Sequence, residues 1–195
     1  MDSSIIKNNL SSFNEKNDLK HGLPSWAYTS EEFFNAECKT LFSSSWVFAG
    51  FVHEFKEPGD AIPITVAGQP ILLIKNMNGK VNAFHNACSH RCLKLVDEAC
   101  NVGAMLICPY HSWTYNLDGN LCATPFFGGR DHQPEGFDMN NHGLQAIKTA
   151  VWNDWIFINL SDDEQDFEDY AKPLIDNFKD IDFQKVVPVA TLDFG

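Results

Sequence analysis

The chain of 195 residues lacks several features that would place it in a specialised class. It has no run of 18 apolar residues, so the sequence predicts no membrane-spanning helix. Basic residues are scarce, with 14 Lys and Arg against 26 Asp and Glu and a formal charge of −12. This acidic excess argues against nucleic acid or an anionic membrane as a partner. Six cysteines are too few for a disulfide scaffold of this length.

What the chain does contain directs attention to its cysteines and histidines. Residues 1–10 show no basic region leading into an apolar stretch, so the sequence predicts no secretory signal and we expect a cytoplasmic protein. In such a chain, six cysteines and seven histidines indicate metal binding rather than disulfides. Hydrophobic residues make up 44% of the chain, with 16 Phe, which is enough to bury a core and argues against global disorder.

The chain up to residue 160 predicts one short helix followed by many short strands. Residues 1–22 are rich in Asn, Ser and Lys, and we expect a flexible arm. Thr29 and Glu32 fit a capping box that opens a helix over 31–42. Aliphatic or aromatic runs separated by turn residues then follow every 8–12 residues, which predicts antiparallel β sheets in a small barrel or sandwich. The predicted strands include 62–66, 71–74, 81–84, 105–107, 113–115, 144–152 and 155–160, with tight turns at Asn78-Gly79, Asp118-Gly119 and Asn153-Asp154.

The composition changes again after residue 160. A cluster of carboxylates over 162–169 precedes apolar side chains that recur every three or four positions between Phe167 and Ile181. This pattern predicts an amphipathic helix, in which Pro173 either introduces a kink or begins a second helix. Residues 186–194 predict one more strand. We therefore divide the chain into an arm (1–22), a β domain (23–160) and a helical linker with a first strand (161–195).

The residues that carry chemistry form two matched pairs. Cys88 and His90 follow the predicted strand 81–84, and Cys108 and His111 follow the predicted strand 105–107. Four such donors around one ion would suit tetrahedral zinc, but zinc sites usually draw cysteine pairs and histidine pairs from separate local motifs. Here each loop offers one thiolate and one imidazole. That mixed supply favours a two-iron cluster with two Cys ligands on one iron and two His ligands on the other.

The extended motif resembles that of a known family. Cys88, His90 and Arg91, then the run 108–111 and Trp113, match the pattern Cys-x-His-Arg followed by Cys-Pro-Tyr-His-x-Trp. This is the Rieske motif of Rieske non-haem iron oxygenases, also called aromatic-ring-hydroxylating dioxygenases. The resemblance extends over about residues 23–194 and includes Leu23-Pro24, Tyr28, Phe33, Glu37, Leu41-Phe42, Trp46, the run 83–86, the run 117–119 and the run 155–159.

The chain departs from this pattern, or from related proteins, at several positions. Cys92 stands where the oxygenases usually have Gly. Tyr110 occupies the place of a disulfide cysteine of high-potential respiratory Rieske proteins, so that bridge is not expected. Trp113 stands where those proteins have a Ser hydroxyl that donates to the cluster. Without that donor we expect a potential near the low end of the Rieske range, on the order of −150 mV, while Tyr115 is a candidate replacement donor.

The resemblance implies a mainly β Rieske iron–sulfur fold of antiparallel sheets, with a cluster-binding subdomain, a short N-terminal helix and a C-terminal helix. It implies a [2Fe–2S] cluster held by Cys88, His90, Cys108 and His111, with the histidines nearer solvent. In the family a reductase or ferredoxin supplies electrons, and the cluster passes them to a mononuclear Fe(II) in a separate C-terminal domain of the neighbouring subunit in a homotrimer. The motif for that iron is absent from these 195 residues, so we predict no catalytic residue here.

Three functional hypotheses follow. The first is the N-terminal Rieske part of an oxygenase α subunit, an oxidoreductase whose first 195 residues are catalytically incompetent alone. The second is a stand-alone Rieske electron carrier, although such carriers are usually near 100 residues and lack the segments 23–46 and 161–195. The third is a zinc-binding structural module. The sequence leaves the substrate open, because ring dioxygenation, O-demethylation and oxidation of quaternary amines all use this type of domain.

Overall fold

The protein is described by a computed structural model, which covers residues 22–128, 133–162, 165–186, 189–190 and 192. Helices α1 (Glu31–Thr40) and α2 (Phe167–Phe178) flank the strands. The strands are β1 (Trp46–Phe51), β2 (Asp60–Val66), β3 (Gln69–Lys75), β4 (Val81–His85), β5 (Cys100–Asn101), β6 (Met105–Ile107), β7 (Thr114–Asn116), β8 (Leu121–Ala123), β9 (Ala146–Trp152) and β10 (Trp155–Asn159). Short 3₁₀ helices occupy Ser25–Tyr28, Val52–Glu54, Met139–Asn141 and Phe183–Lys185. The predicted arm, except for residue 22, lies outside the described residues.

Helix α1 has a different N-cap from the one that the sequence predicts. The hydroxyl of Ser30 accepts a hydrogen bond from the backbone N–H of Phe33 at 3.1 Å, so the N-cap is Ser30. Thr29 instead ends the preceding 3₁₀ helix, because its N–H donates to the carbonyl of Trp26. The predicted capping box from Thr29 to Glu32 is therefore wrong, and the helix ends at Thr40, two residues earlier than predicted.

The larger sheet has seven antiparallel strands in the order β1-β10-β9-β4-β3-β2-β5. Its centre contains the predicted hairpin, in which β3 pairs with β4 and Lys75 lies opposite Val81. Five residues, 76–80, connect the two strands, so the connection is longer than the predicted two-residue turn. Gly79 has φ +82, whereas Asn78 is not among the residues with positive φ. A second sheet contains β6, β7 and β8 in sequence order. Two antiparallel sheets with flanking helices confirm the predicted mainly β class.

Strand β3 separates two hydrophobic cores because successive side chains of a strand point to opposite faces. Ile71 and Leu73 belong to one core, together with Ile156 and Ile158 of β10. Leu72 and Ile74 belong to the other core, which also contains both cysteines of the predicted ligand set. All four β3 side chains are at most 1% exposed. The two candidate cysteines thus share their core with one face of strand β3.

Helix α2 forms one continuous element with Pro173 inside it, rather than two helices. Phe167 at its start packs against Trp46 with ring centroids 5.3 Å apart and against Phe157 at 4.8 Å. The helix ends at Phe178, so the predicted apolar stripe ends before Ile181. Of the predicted strand 186–194, the described residues 186, 189–190 and 192 form no strand. No helix in the described part of the chain is long and apolar enough to cross a membrane.

Candidate metal centre

The first candidate loop follows β4 and closes on itself through two backbone hydrogen bonds. The N–H of Cys88 donates to the carbonyl of Leu93, and the N–H of Cys92 donates to the carbonyl of Cys88, both at 2.8 Å. Cys92 has φ +53, a left-handed conformation that favours glycine. This conformation explains why the oxygenase pattern usually has Gly at the position of Cys92. In this chain a Cys residue adopts the same backbone conformation.

The second candidate loop, between β6 and β7, repeats this construction. The N–H of Cys108 donates to the carbonyl of Trp113 at 2.8 Å, and the N–H of Ser112 donates to the carbonyl of Cys108 at 3.0 Å. Ser112, like Cys92, lies four residues after its cysteine and has φ +56. The two loops therefore present their cysteines in the same way, while His90 is two residues after its cysteine and His111 three residues after.

The two thiols of the predicted ligand set lie together in the core beneath the loops. Cys88 and Cys108 are each 2% exposed. Burial raises the pKa of the Cys88 thiol, and the neighbouring Cys108 thiol raises it further. A buried thiolate needs a compensating positive charge, which a metal ion supplies. The pair is thus suited to bind a metal and poorly suited to persist as free thiolates.

The two imidazoles lie next to each other and are more exposed than the thiols. The ring centroids of His90 and His111 are 4.8 Å apart. Nδ1 of His111 is buried and has no hydrogen-bond partner among the described residues. Burial, and after it the charges of His111 and Arg91, lower the pKa of His90, which favours the neutral imidazole that binds metals. An unpartnered buried ring nitrogen beside a neutral imidazole is an arrangement suited to metal coordination.

Aromatic rings hold these imidazoles in place. The indole of Trp113 lies parallel to the imidazole of His90, with centroids 4.6 Å apart and an interplanar angle of 7°. The ring centroids of Tyr110 and His111 are 3.7 Å apart. The ring of Phe127 packs edge-on against the rings of His90 and Trp113. Trp113, at the position where respiratory Rieske proteins have Ser, therefore supports a ligand candidate through its ring.

Tyr115 supplies the hydroxyl that the sequence analysis considered as a replacement donor. Its Oη lies 3.1 Å from Sγ of Cys88, and the residue is fully buried. Burial first, and then the hydrogen bond to Cys88, raise the pKa of Tyr115 well above its usual value. The phenol therefore keeps its proton at neutral pH and can donate it towards the sulfur. A tyrosine hydroxyl thus lies close to the sulfur of one of the two buried cysteines.

The arrangement of donors argues against the zinc alternative. A structural zinc ion takes four donors around one point. Within the described residues, no three His, Cys, Asp or Glu side chains are placed to hold a single metal ion. In a Rieske cluster each iron takes only two protein ligands, with the cysteines on one iron and the histidines on the other. Two donor pairs, buried thiols and half-buried imidazoles, fit that requirement.

The other cysteines take no part in this arrangement. Cys92, Cys100 and Cys122 are exposed, Cys38 is half-buried, and none of the six cysteines forms a disulfide. The absence of a bridge between the loops agrees with Tyr110 standing at the position of the second bridging cysteine. His142, which lies in a loop near the site, packs against Phe137 at 4.4 Å.

Asn86 supports the first loop in a way that the sequence motif alone does not reveal. Its side chain is 1% exposed. Its amide nitrogen donates to the carbonyl of Val96 at 2.7 Å, and its oxygen accepts from the N–H groups of Leu95 and Val96 at 3.0 and 3.1 Å. The strand end before Cys88 is thereby tied to the return of the loop. The only sequence signal was the resemblance over 83–86.

Comparisons with known proteins agree with this geometry. Residues 45–133 match the family model of the Rieske [2Fe–2S] domain. The chain is 33% identical over 156 residues to the glycine betaine monooxygenase oxygenase subunit of Chromohalobacter salexigens, which covers 80% of this chain and 34% of that protein. It is 29% identical over 166 residues to the large oxygenase component of salicylate 5-hydroxylase from Ralstonia sp, covering 81% of this chain and 39% of that protein.

A solved structure extends the comparison to the fold. The apo form of a quaternary ammonium Rieske monooxygenase matches with a TM-score of 0.71 and 29% identity, over 83% of this chain and 46% of that one. The chain thus spans little more than a third of the length of the curated relatives it matches. Residues 45–133 thus form a Rieske [2Fe–2S] domain, and the chain is similar to part of the oxygenase subunits of Rieske non-haem iron oxygenases.

Proposed function

We propose that the chain forms the electron-transfer part of an oxygenase α subunit and holds a Rieske [2Fe–2S] cluster through Cys88, Cys108, His90 and His111. The two thiolates bind one iron and the two imidazoles bind the other. When bound, such a cluster supplies one-electron transfer between a reductase or ferredoxin and a mononuclear iron centre, and it makes no bonds to substrate.

The observation that carries this proposal is the pairing of two unusual groups. The thiols of Cys88 and Cys108 are buried together without a disulfide. Three residues after Cys108, Nδ1 of His111 is buried without a hydrogen-bond partner in the described chain. Buried polar groups of a protein are nearly always paired, so such a set indicates missing ligands. A metal centre would satisfy all of them at once.

The chain also controls the direction from which electrons reach the site. The cysteines are buried, whereas His90 and His111 are half-buried and line a cavity of about 250 Å³ at the surface. Tyr110 and Phe126, at the rim of this cavity, are exposed. A partner protein can therefore approach the imidazoles and not the thiols. This supports transfer through the histidine side.

Metal and sulfide analysis tests the proposal directly. The purified protein is expected to contain two irons and two acid-labile sulfides per chain, and to show the electron paramagnetic resonance signal of a reduced Rieske centre. One zinc per chain without sulfide would contradict the proposal and favour the structural module instead. One iron per chain, without sulfide, would contradict it as well.

The activity of the whole oxygenase is a further part of the proposal. We propose that the oxygenase that uses this domain oxidises a quaternary ammonium compound, because the glycine betaine enzyme and the quaternary ammonium monooxygenase are among its relatives. The complete oxygenase, given a reductase and O₂, is expected to turn over glycine betaine. Turnover of salicylate alone would favour the aromatic class, to which another relative belongs.

The stand-alone carrier is separated from this proposal by a turnover experiment. The 195 residues are expected to accept electrons from a reductase but to form no hydroxylated product with O₂. Addition of an oxygenase subunit that retains its mononuclear iron site but lacks its own Rieske cluster is expected to restore product. Product formation by the 195 residues alone would contradict the assignment of the catalytic iron to another domain.

A further inference from the structure

Ser89, between the two ligand candidates of the first loop, makes two close contacts with its hydroxyl. Oγ lies 2.6 Å from the carbonyl oxygen of His142 and 2.9 Å from Oη of Tyr115. The backbone N–H of Ser89 also lies 3.2 Å from Oη of Tyr115. Since Oη of Tyr115 is 3.1 Å from Sγ of Cys88, Ser89 and the sulfur of Cys88 contact the same hydroxyl group.

A count of protons fixes the direction of these hydrogen bonds. A carbonyl oxygen only accepts, so the 2.6 Å contact with His142 uses the single proton of the Ser89 hydroxyl. The backbone N–H of Ser89 donates to Oη of Tyr115. The one proton that remains is that of Tyr115. Two acceptors lie within its reach, namely Sγ of Cys88 and Oγ of Ser89.

We infer that Ser89 is a positioning residue that draws the Tyr115 proton away from Sγ of Cys88 and thereby lowers the reduction potential of the metal centre. This inference rests on the proposed function, because it requires Cys88 to be an iron ligand. Hydrogen bonds to a ligand sulfur stabilise the more electron-rich, reduced cluster. A second acceptor for the same proton weakens that hydrogen bond.

The acceptor of the Ser89 proton connects this arrangement with another segment. His142 lies at the end of the 3₁₀ helix Met139–Asn141, and its Nδ1 lies 2.9 Å from the carbonyl oxygen of Asp138. The carboxylate of Asp138 accepts from the N–H of Asn140 at 3.0 Å and so fixes the start of the same turn. The hydroxyl of Ser89 therefore keeps its orientation, because it donates its proton to the carbonyl of His142.

Redox titration of Ser89→Ala tests the inference. The variant removes the competing oxygen, so the midpoint potential is expected to shift to a more positive value than that of the wild type. Ser89→Thr keeps the hydroxyl and is expected to restore the wild-type midpoint. Ser43→Ala is the control, since Ser43 follows helix α1, outside both candidate loops, and its hydroxyl donates to the carbonyl of Lys39 at 2.9 Å; its midpoint is expected to stay unchanged.

A double variant shows whether the effect passes through Tyr115. In a Tyr115→Phe background, Ser89→Ala is expected to leave the midpoint where Tyr115→Phe alone places it. An equal shift in both backgrounds, no shift in the wild-type background, or a shift to a more negative value would overturn the inference. The last result would mean that the Ser89 hydroxyl donates to Tyr115.

The inference and the proposed function fail in different ways. If the wild-type protein contains no iron and sulfide, the proposed function is wrong. If the wild-type cluster is present but Ser89→Ala does not raise the midpoint, or raises it equally in the Tyr115→Phe background, only the inference is wrong. Ser89→Gly removes the same hydroxyl and replaces Ser89→Ala if that variant loses its visible absorbance. Loss of the cluster in both Ser89→Ala and Ser89→Gly would overturn the inference, because a residue that only competes for the Tyr115 proton is not needed for cluster assembly.

Discussion

The hydroxyl of Tyr115 lies 3.1 Å from the sulfur of Cys88, inside the core that the two candidate loops cover. The two residues are 27 positions apart. They meet because β7 places Tyr115 opposite Leu106 of β6, and both side chains lie in the same core as Cys88. This contact connects the packing of a β sheet with the electronic properties of a metal site.

Tyr115→Phe is expected to lower the midpoint potential of the cluster. The substitution removes one donor near a ligand sulfur and keeps the buried ring, so the fold should remain intact. A net hydrogen bond is worth about 1 kcal/mol, which corresponds to a shift on the order of 50 mV for a one-electron couple. Redox titration of wild type and variant measures the shift, and an unchanged or raised midpoint would rule out donation by Tyr115 to the sulfur.

Cys108→Ser is expected to abolish the visible absorbance of the cluster. A serine hydroxyl does not replace a thiolate as an anionic ligand for iron at neutral pH, and the position is buried in the core. Cys122→Ser is the matched control, since Cys122 is exposed on β8 and its thiol makes a single weak contact, 3.4 Å from the carbonyl of Asn120 in the described chain. Iron and sulfide content measures the outcome, and a cluster retained at full occupancy in Cys108→Ser would refute the proposed ligand set.

Much of this site could be predicted from the sequence because its information is local. Each cysteine and histidine of the set is within three residues of its partner, and each loop follows an apolar strand. The signal for a hairpin at Asn78-Gly79 was equally local, and the pairing of β3 with β4 was confirmed, although the connection is longer than two residues. The N-cap of α1 was predicted wrongly, because Thr29 and Ser30 are both suitable capping residues. Only the preceding 3₁₀ turn, which Thr29 ends, decides between them.

The features that escaped prediction depend on contacts across the fold. Tyr115 was a candidate donor from the sequence, but its distance to Cys88 depends on the pairing of β6 with β7. The contact between Ser89 and His142 joins residues 53 positions apart. Neither leaves a periodic or spaced pattern in the sequence. Such residues influence the site through hydrogen bonds, so the motif that identifies the family does not include them.

Asn86→Ala is expected to destabilise the protein by about 2–4 kcal/mol, because it leaves two buried backbone N–H groups and a carbonyl without their partner. These groups belong to Leu95 and Val96, which are 8% and 5% exposed. Asn120→Ala, in an exposed turn, is the comparison and is expected to change stability by less than about 0.5 kcal/mol. Urea unfolding followed by circular dichroism measures both, and equal midpoints for the two variants would contradict the role given to Asn86.

Gly119→Ala is expected to destabilise the protein by roughly 2–4 kcal/mol, because backbone strain and overpacking act together. Gly119 has φ +83, and an added Cβ would lie 2.4 Å from Cε1 of Phe84 on β4. The overlap cannot be relieved cheaply, since Phe84 is buried in the core that contains both candidate cysteines. The same substitution at Gly79 isolates the strain, because Gly79 has φ +82 with no atom within 4 Å of an added Cβ. Gly79→Ala is therefore expected to cost only about 1 kcal/mol. Urea unfolding measures the loss of stability in each variant. If Gly119→Ala costs no more stability than Gly79→Ala, Phe84 moves aside to make room for the added Cβ.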